Sequence, residues 1–111
     1  MWNESFHTNI TYVVERNDQI IGFGDLTHTG YVDRLYVHKS YQGQGVASSL
    51  INKLEAEALR LALDEMNTDA SITAKPFFEH HGFQLIQAQS VERRGVVMVN
   101  YKMRKKLFKT F

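Results

Sequence analysis

The 111-residue chain predicts a single α/β domain: a mixed, mostly antiparallel sheet with helices packed on it. Three observations lead there. Residues 11–37 hold three runs rich in β-branched and aromatic residues, separated by short turns, as in an antiparallel meander. After Gly45 comes a sustained apolar face at 3- and 4-residue steps, the period of a long amphipathic helix. Two more strand-like runs close the chain and meet at Arg93-Arg94-Gly95, which predicts a C-terminal hairpin.

In order, residues 1–10 read as an irregular polar lead with Trp2 and Phe6 as anchors. Thr11-Tyr12-Val13-Val14-Glu15-Arg16 is the first strand, and Asn17-Asp18-Gln19 makes the turn. Residues 20–28 return as the second strand. Gly22 and Gly24 share one face of it, which predicts that something packs or binds close against that face. Thr29-Gly30 turns again, and residues 31–37 form the third strand. The helix carries Ala47, Leu50, Ile51, Leu54, Ala58, Leu61 and Ala62 on its apolar face, and it is expected to end at Glu65-Met66-Asn67 with Asn67 as a left-handed cap. Residues 69–73 form a short strand, a near neighbour of the third through the helical crossover. Thr73 is expected to cap a short second helix with Pro76 in its first turn. Gly82 then stops that helix, with Phe83 packing back on it. The final strands run over residues 83–92 and 96–104, and residues 105–111 form a basic tail.

Composition narrows the function. Apolar residues at 43% and charged residues at 23% fit an ordinary globular protein, and a net charge of +1 gives no argument for nucleic acid or membrane. With no cysteine there is no thiol nucleophile and no need of an oxidising compartment. No apolar run approaches a membrane span and the N-terminus lacks a signal-peptide pattern, so a cytoplasmic location is expected. The five histidines lack metal-ligand spacing, and the basic cluster from Arg93 to Lys109 reads as a solvated hairpin and tail.

The chemistry is expected where the third strand gives way to the helix. Gly43 and Gly45 sit at that junction, where helix amides lack partners and the helix dipole is positive. Glycine there lets an anion approach the backbone, so the stretch reads as a phosphate or pyrophosphate seat. It is not a Walker loop, because Val46-Ala47 stand where Lys-Ser/Thr would be required; it also lacks the third glycine of a dinucleotide fingerprint. Gln42-x-x-Gly45-x-Ala47 resembles the Q/R-x-x-G-x-G/A signature of the GNAT superfamily of acyl-CoA-dependent N-acetyltransferases. Leu35-Tyr36-Val37-His38-Lys39-Ser40-Tyr41 resembles that family's strand-and-turn approach to it. Ser71-Ile72-Thr73-Ala74-Lys75-Pro76-Phe77-Phe78-Glu79-His80-His81-Gly82-Phe83 is similar to its N-x-x-A-x-x-F-Y-E-x-x-G-F segment.

The resemblance covers residues 11–103 and implies a sheet that splays between the third strand and the strand at residues 70–72. Acetyl-CoA would enter that wedge as co-substrate. Its pantetheine would lie along Leu35, Tyr36 and Val37. Its pyrophosphate would sit on the amides of Gly43, Gln44, Gly45, Val46, Ala47 and Ser48, with Gln42 of the signature also on the cofactor and Ser71 and Phe77 on the far wall. The chain departs from the family in three ways. Only ten residues precede Thr11, where the family usually has a strand and one or two helices, so a truncated or partner-completed acceptor site is an expectation. Residues 11–16 would then be an edge strand open to homodimerisation. The tyrosine that commonly protonates the departing thiolate aligns with Phe78, and the family's asparagine aligns with Ser71.

Acyl transfer needs a neutral amine, and an alkylamine with a pKa near 10 is only about one-thousandth neutral at pH 7. A base raises that fraction. Asp33 is the candidate, because simple alternation gives it the parity of Leu35 and Val37; His28 is the second. An oxyanion donor is expected near Tyr36 or Val37 if the strand bulges there. Tyr36, Tyr41 or Tyr101 could supply the acid. The acceptor is a small amine, an amino acid, an aminoglycoside-like molecule, or a protein lysine or N-terminus. The alternatives are a non-catalytic acyl-CoA-binding module and a subunit that functions only with a partner.

Overall fold

A computed structural model describes residues 9–107. Strands β1 (Asn9–Arg16), β2 (Gln19–Thr27) and β3 (Tyr31–Val37) form the meander, and helix α1 (Val46–Arg60) crosses to β4 (Glu65–Ser71). Helix α2 (Lys75–His80) leads into the hairpin of β5 (Gln84–Arg93) and β6 (Val96–Lys106). The strand order is β1-β2-β3-β4-β6-β5, and β3–β4 is its parallel pair. The mixed, mostly antiparallel sheet with a long helix after its third strand is therefore as expected.

Local chemistry sets both hairpins. Asn17 and Asp18 both take positive φ between the paired residues Arg16 and Gln19, as do Arg94 and Gly95 between Arg93 and Val96. A two-residue turn with two positive φ values matches the right-handed twist of paired strands, and Asn, Asp and Gly tolerate it best. Gln19 and Arg93 accordingly belong to strands rather than turns.

Helix α1 buries Val46, Leu50, Ile51, Leu54 and Ala58 against the sheet. The close approach expected at Gly22 is this helix: a Cβ there would lie 3.0 Å from Val46 Cγ1 and 3.0 Å from the Tyr36 carbonyl oxygen. The main core joins Leu26 and Val32 from one half of the sheet to Met66, Ala70 and Met103 from the other, through Leu54, Ala58 and Phe78.

Several boundaries differ from expectation. Helix α1 stops at Arg60, not near Asn67. Ala62 takes φ 61°, its amide donates to the Leu59 carbonyl, and the Leu63 amide donates to the Ala58 carbonyl. That paired-bond stop normally uses glycine at its left-handed position. Asn67 instead lies in β4, which begins at Glu65 because Met66, Thr68 and Ala70 alternate into the core. Thr73 does not cap α2; Ser71 Oγ accepts the Ala74 amide at 3.1 Å. Asn9 and Ile10 belong to β1, and Lys105 and Lys106 to β6, since both strands extend for as long as a neighbour pairs with them. The expected anchors Trp2 and Phe6, and residues 108–111 of the expected tail, lie outside the described residues. The stop of α2 is as expected: Gly82 has φ 91°, and Phe83 packs edge-on against Phe78 with ring centroids 5.1 Å apart.

Because Ala62 occupies a left-handed position, Ala62→Gly is expected to raise the unfolding free energy by about 1 kcal/mol. The measurement is a higher urea midpoint at unchanged m-value. A lower midpoint would count against the left-handed stop.

Candidate active site

Strands β3 and β4 part almost as soon as they meet. They pair only at Tyr31–Asn67 and Val32–Thr68. Beyond these, β3 follows β2 as far as Val37–Gly22, while β4 follows β6 as far as Ser71–Asn100. The wedge between them holds a cleft of about 480 Å³. Leu35 and Val37 form one wall; Ser71, Thr73, Ala74, Phe77 and Phe78 form the other. Tyr41, Gln42, Gly43 and the first residues of α1 close the end. A second cavity of about 220 Å³ is lined by Val32, Asp33, Thr68, Asp69 and Ala70, and shares Leu35, Ser71, Ala74 and Phe78 with the first.

The loop into α1 is held by its own polar groups. Ser40 donates its amide to His38 Nδ1 at 3.1 Å, and the Tyr41 amide donates to the His38 carbonyl at 2.8 Å. Gln42 Nε2 donates to the Val37 carbonyl at 3.4 Å, tying the loop to the end of β3. Gly45 precedes α1 in the left-handed region at φ 82°, and no side chain caps the helix. The first bond of α1 runs from the Ser49 amide to the Gly45 carbonyl at 3.0 Å, so the amides of Val46, Ala47 and Ser48 come before the helical ladder. A Cβ built on Gly43 or Gly45 would meet nothing within 4 Å. The N-terminus of a fifteen-residue helix therefore opens on free space within the cleft.

Of the residues proposed for the cofactor, Leu35, Val37, Gln42, Gly43, Gly45, Val46, Ala47, Ser48, Ser71 and Phe77 line the cleft together. Gln44 and Tyr36 do not. Gln44 accepts from Arg16 Nη1 at 3.3 Å and donates to the Ser40 carbonyl at 3.5 Å. Tyr36 stacks on Phe23 with ring centroids 5.5 Å apart and is 47% exposed. Alternation along β3 puts its side chain on the face opposite Leu35 and Val37, so its hydroxyl does not line the wedge. Tyr41 lines the cleft at its helix end. Tyr101 lines neither cavity and lies under Lys75 Nζ, while His28 sits exposed in the turn after β2.

Asp33 lines the second cavity, but its expected parity is corrected. Arg34 pairs with Asp25 and Val32 with Leu26, which leaves Asp33 as the extra residue of a bulge. The bulge resets the alternation, so Val32 and Leu35 share one core and Asp33 does not share their face. Its carboxylate accepts from Asn9 Nδ2 at 3.3 Å. Nearby, Tyr31 donates its hydroxyl to Asp69 at 2.8 Å. Burial first, and then that carboxylate, push the Tyr31 hydroxyl up to about 12. No bulge occurs at Tyr36 or Val37. The His38 amide donates to the Ile21 carbonyl at 2.7 Å, and antiparallel alternation then turns the Val37 amide away from β2, toward the wedge. The parting of the strands, rather than a bulge, frees that donor.

The sequence reading also missed Thr73, Ala74, Phe78, Thr68 and Asp69 as walls. Thr73, Ala74 and Phe78 lie within the quoted C-terminal motif and could have been found from it; Thr68 could not, because the strand was expected to begin at Asp69 and begins at Glu65.

A family model described as an acetyltransferase (GNAT) domain matches residues 1–105. The chain belongs to the GNAT acetyltransferase family. It is 41% identical over 107 residues to the uncharacterised N-acetyltransferase YafP of Escherichia coli K12, a match covering 95% of this chain and 66% of that protein. A GCN5-related N-acetyltransferase structure from Rhodopseudomonas palustris superposes with a TM-score of 0.85 at 30% identity, over 93% of this chain and 64% of that one. The chain thus spans just under two thirds of the length of both relatives. A GNAT acetyltransferase from Elizabethkingia anophelis with acetyl-CoA bound shares the fold at a TM-score of 0.73 and 13% identity, over 92% of this chain and 78% of that one.

Helix α1 begins close against β2 at Gly22. Gly22→Ala is expected to cost about 1–3 kcal/mol, the usual range for an overpacked contact, because Val46 and the Tyr36 carbonyl would have to yield. Urea unfolding measures it; a neutral result would mean that α1 can lift away freely.

Proposed function

We propose that this chain binds acetyl-CoA in the split sheet and transfers the acetyl group to a primary amine presented from the Asp33 side. One observation carries the reading: the two cavities share Leu35, Ser71, Ala74 and Phe78, so the cleft that starts at the α1 N-terminus leads to Asp33. A pyrophosphate on the amides of residues 46–48 would be held by partial charges and by the dipole of α1. The acetyl-CoA in the Elizabethkingia protein of the same fold supports that donor.

In the reaction, the amine nitrogen forms a bond to the thioester carbonyl carbon, the carbon–sulfur bond breaks, and the amine proton is lost. Asp33 takes up that proton through water. The Val37 amide is the backbone donor available to a developing oxyanion. A thiol with a pKa near 8.5 leaves readily as the thiolate, so Phe78 need not supply a proton. Ser71 accepts the Ala74 amide and keeps its own hydroxyl proton to donate where the two cavities meet. The missing hydroxyl at Phe78 is also what favours a second reading, an acyl-CoA-binding module without turnover.

Calorimetric titration with acetyl-CoA, followed by thiol release with a panel of amines, separates the two readings. Micromolar binding with turnover is expected; binding without turnover would leave the module. Asp33→Asn is expected to lower kcat by about 10²–10⁴, the usual contribution of a general base, with acetyl-CoA affinity unchanged. An unaltered rate would remove Asp33 from the site. Gly45→Val should abolish binding, and because φ is 82° there, its folding must be checked by circular dichroism.

A further inference from the structure

A side-chain pair joins the two helices at the proposed pyrophosphate seat. Ser48, in the first turn of α1, lines the cleft, and its Oγ lies 2.9 Å from Nε2 of His81, the residue that ends α2. The His81 ring is packed against Phe77, with ring centroids 4.6 Å apart. We propose that His81 is a positioning residue for acyl-CoA binding, fixing the Ser48 hydroxyl so that its proton points at the pyrophosphate. The inference rests on the acetyl-CoA reading above and adds the residue that caps α2 to a seat otherwise made from the α1 loop.

The argument is one of donors and acceptors. A serine hydroxyl has one proton, and its oxygen can accept as well as donate. If His81 Nε2 accepts that proton, Ser48 offers the anion only lone pairs. If Nε2 carries a proton and donates, the Ser48 proton is free for a phosphate oxygen. A bound pyrophosphate selects the second arrangement, since a hydroxyl lone pair facing an anion is repelled. The imidazole must be free to hold its proton on Nε2, and a neutral ring can do so in one tautomer. Burial, then His80 and Lys105, push His81 below the ordinary histidine value against the opposing pull of Glu55, so the ring is neutral at pH 7. Lys105 reaches this corner from β6 and is itself held by Glu55 of α1 at 2.6 Å, so neither charge takes the place of the Ser48 contact.

Below the His81 pKa the charged ring still donates through Nε2 and adds positive charge beside the pyrophosphate. Affinity should therefore tighten as pH falls through that value, and the tightening should be absent when residue 81 cannot titrate.

The test is a double-mutant cycle on the full chain, with calorimetric affinity for 3′-dephospho-CoA, a probe without the 3′-phosphate that titrates in the same pH range. Ser48→Ala and His81→Leu are each expected to weaken binding by about tenfold, the scale of a lost hydrogen bond to a charged group. The double variant should be no more than about twofold weaker than Ser48→Ala alone, since both changes remove one interaction. His81→Gln, which keeps a donor near the Nε2 position, should restore affinity at pH 7.5 without the low-pH gain. Additive losses in the cycle, or no rescue by His81→Gln in a chain that melts like wild type, overturn the proposal. If wild type binds neither this probe nor acetyl-CoA, the acetyl-CoA reading itself fails and the inference falls with it.

Discussion

Two residue pairs, Tyr31–Asn67 and Val32–Thr68, make the whole ladder between the halves of the sheet. Such a short parallel junction contributes little hydrogen bonding, so the halves must be joined by side chains. The core does this, because Leu54 and Ala58 of α1 and Phe78 of α2 pack in one cluster with Leu26 and Val32 on one side and Met66, Ala70 and Met103 on the other. A buried Thr68 hydroxyl donating to the Val32 carbonyl at 3.1 Å adds a polar tie across the junction. Splitting a sheet exposes backbone donors that would otherwise be paired, and an exposed donor row is a liability unless something occupies it. Here both edges face one apolar cleft with a helix N-terminus at its end, and that combination suits a long ligand with an anionic middle.

The proposed pyrophosphate seat would rely on backbone more than on charge. None of the residues lining the larger cleft is Lys or Arg. Arg16 comes near the loop, but its guanidinium is engaged by Gln44 and lies over the Tyr41 ring, 5.5 Å from the centroid. Amides fixed at a helix start lose no side-chain entropy on binding, whereas ordering a long cationic side chain costs up to about 2 kcal/mol. A near-neutral chain can therefore hold an anion without an attractive surface for polyanions in general, in keeping with its net charge of +1.

Elements governed by local chemistry were legible in the sequence. The meander, the buried face of α1 through Leu50, Ile51, Leu54 and Ala58, the glycine-bearing loop before it and the Gly82–Phe83 stop of α2 each depend on residues adjacent or one turn apart. What escaped depended on distant partners. Helix α1 stops at Arg60, with Ala62 rather than glycine in the left-handed position beyond it, because Leu63 is drawn to the core and β4 is claimed early by β6, pairing from Glu65–Lys106 onward. The bulge at Asp33 was the costlier miss, since one extra residue reverses every parity argument beyond it. Nothing in Tyr31-Val32-Asp33-Arg34-Leu35 announces it. It becomes intelligible beside β2, where the buried Asp25 takes Arg34 Nε at 3.0 Å while Leu26 must meet Val32.

The substitution at Phe78 can be placed in the same terms. Its ring is 4% exposed, and it packs edge-on to both Phe77 and Phe83 while still lining the cleft. A tyrosine hydroxyl at such a position would need a partner within the wedge, because a buried unpaired hydroxyl costs about 1–3 kcal/mol. Phenylalanine carries no such demand and lets the ring serve the core that joins the two halves. The neighbouring polar group on that wall is Ser71, whose oxygen already accepts the Ala74 amide and so fixes the start of α2. The wall thus puts mechanical continuity ahead of a dedicated acid. That exchange is tolerable for a thiolate leaving group and would not be for an alkoxide, whose conjugate acid is far weaker. The proposed transfer from a thioester is thus compatible with a wall that lacks a dedicated acid.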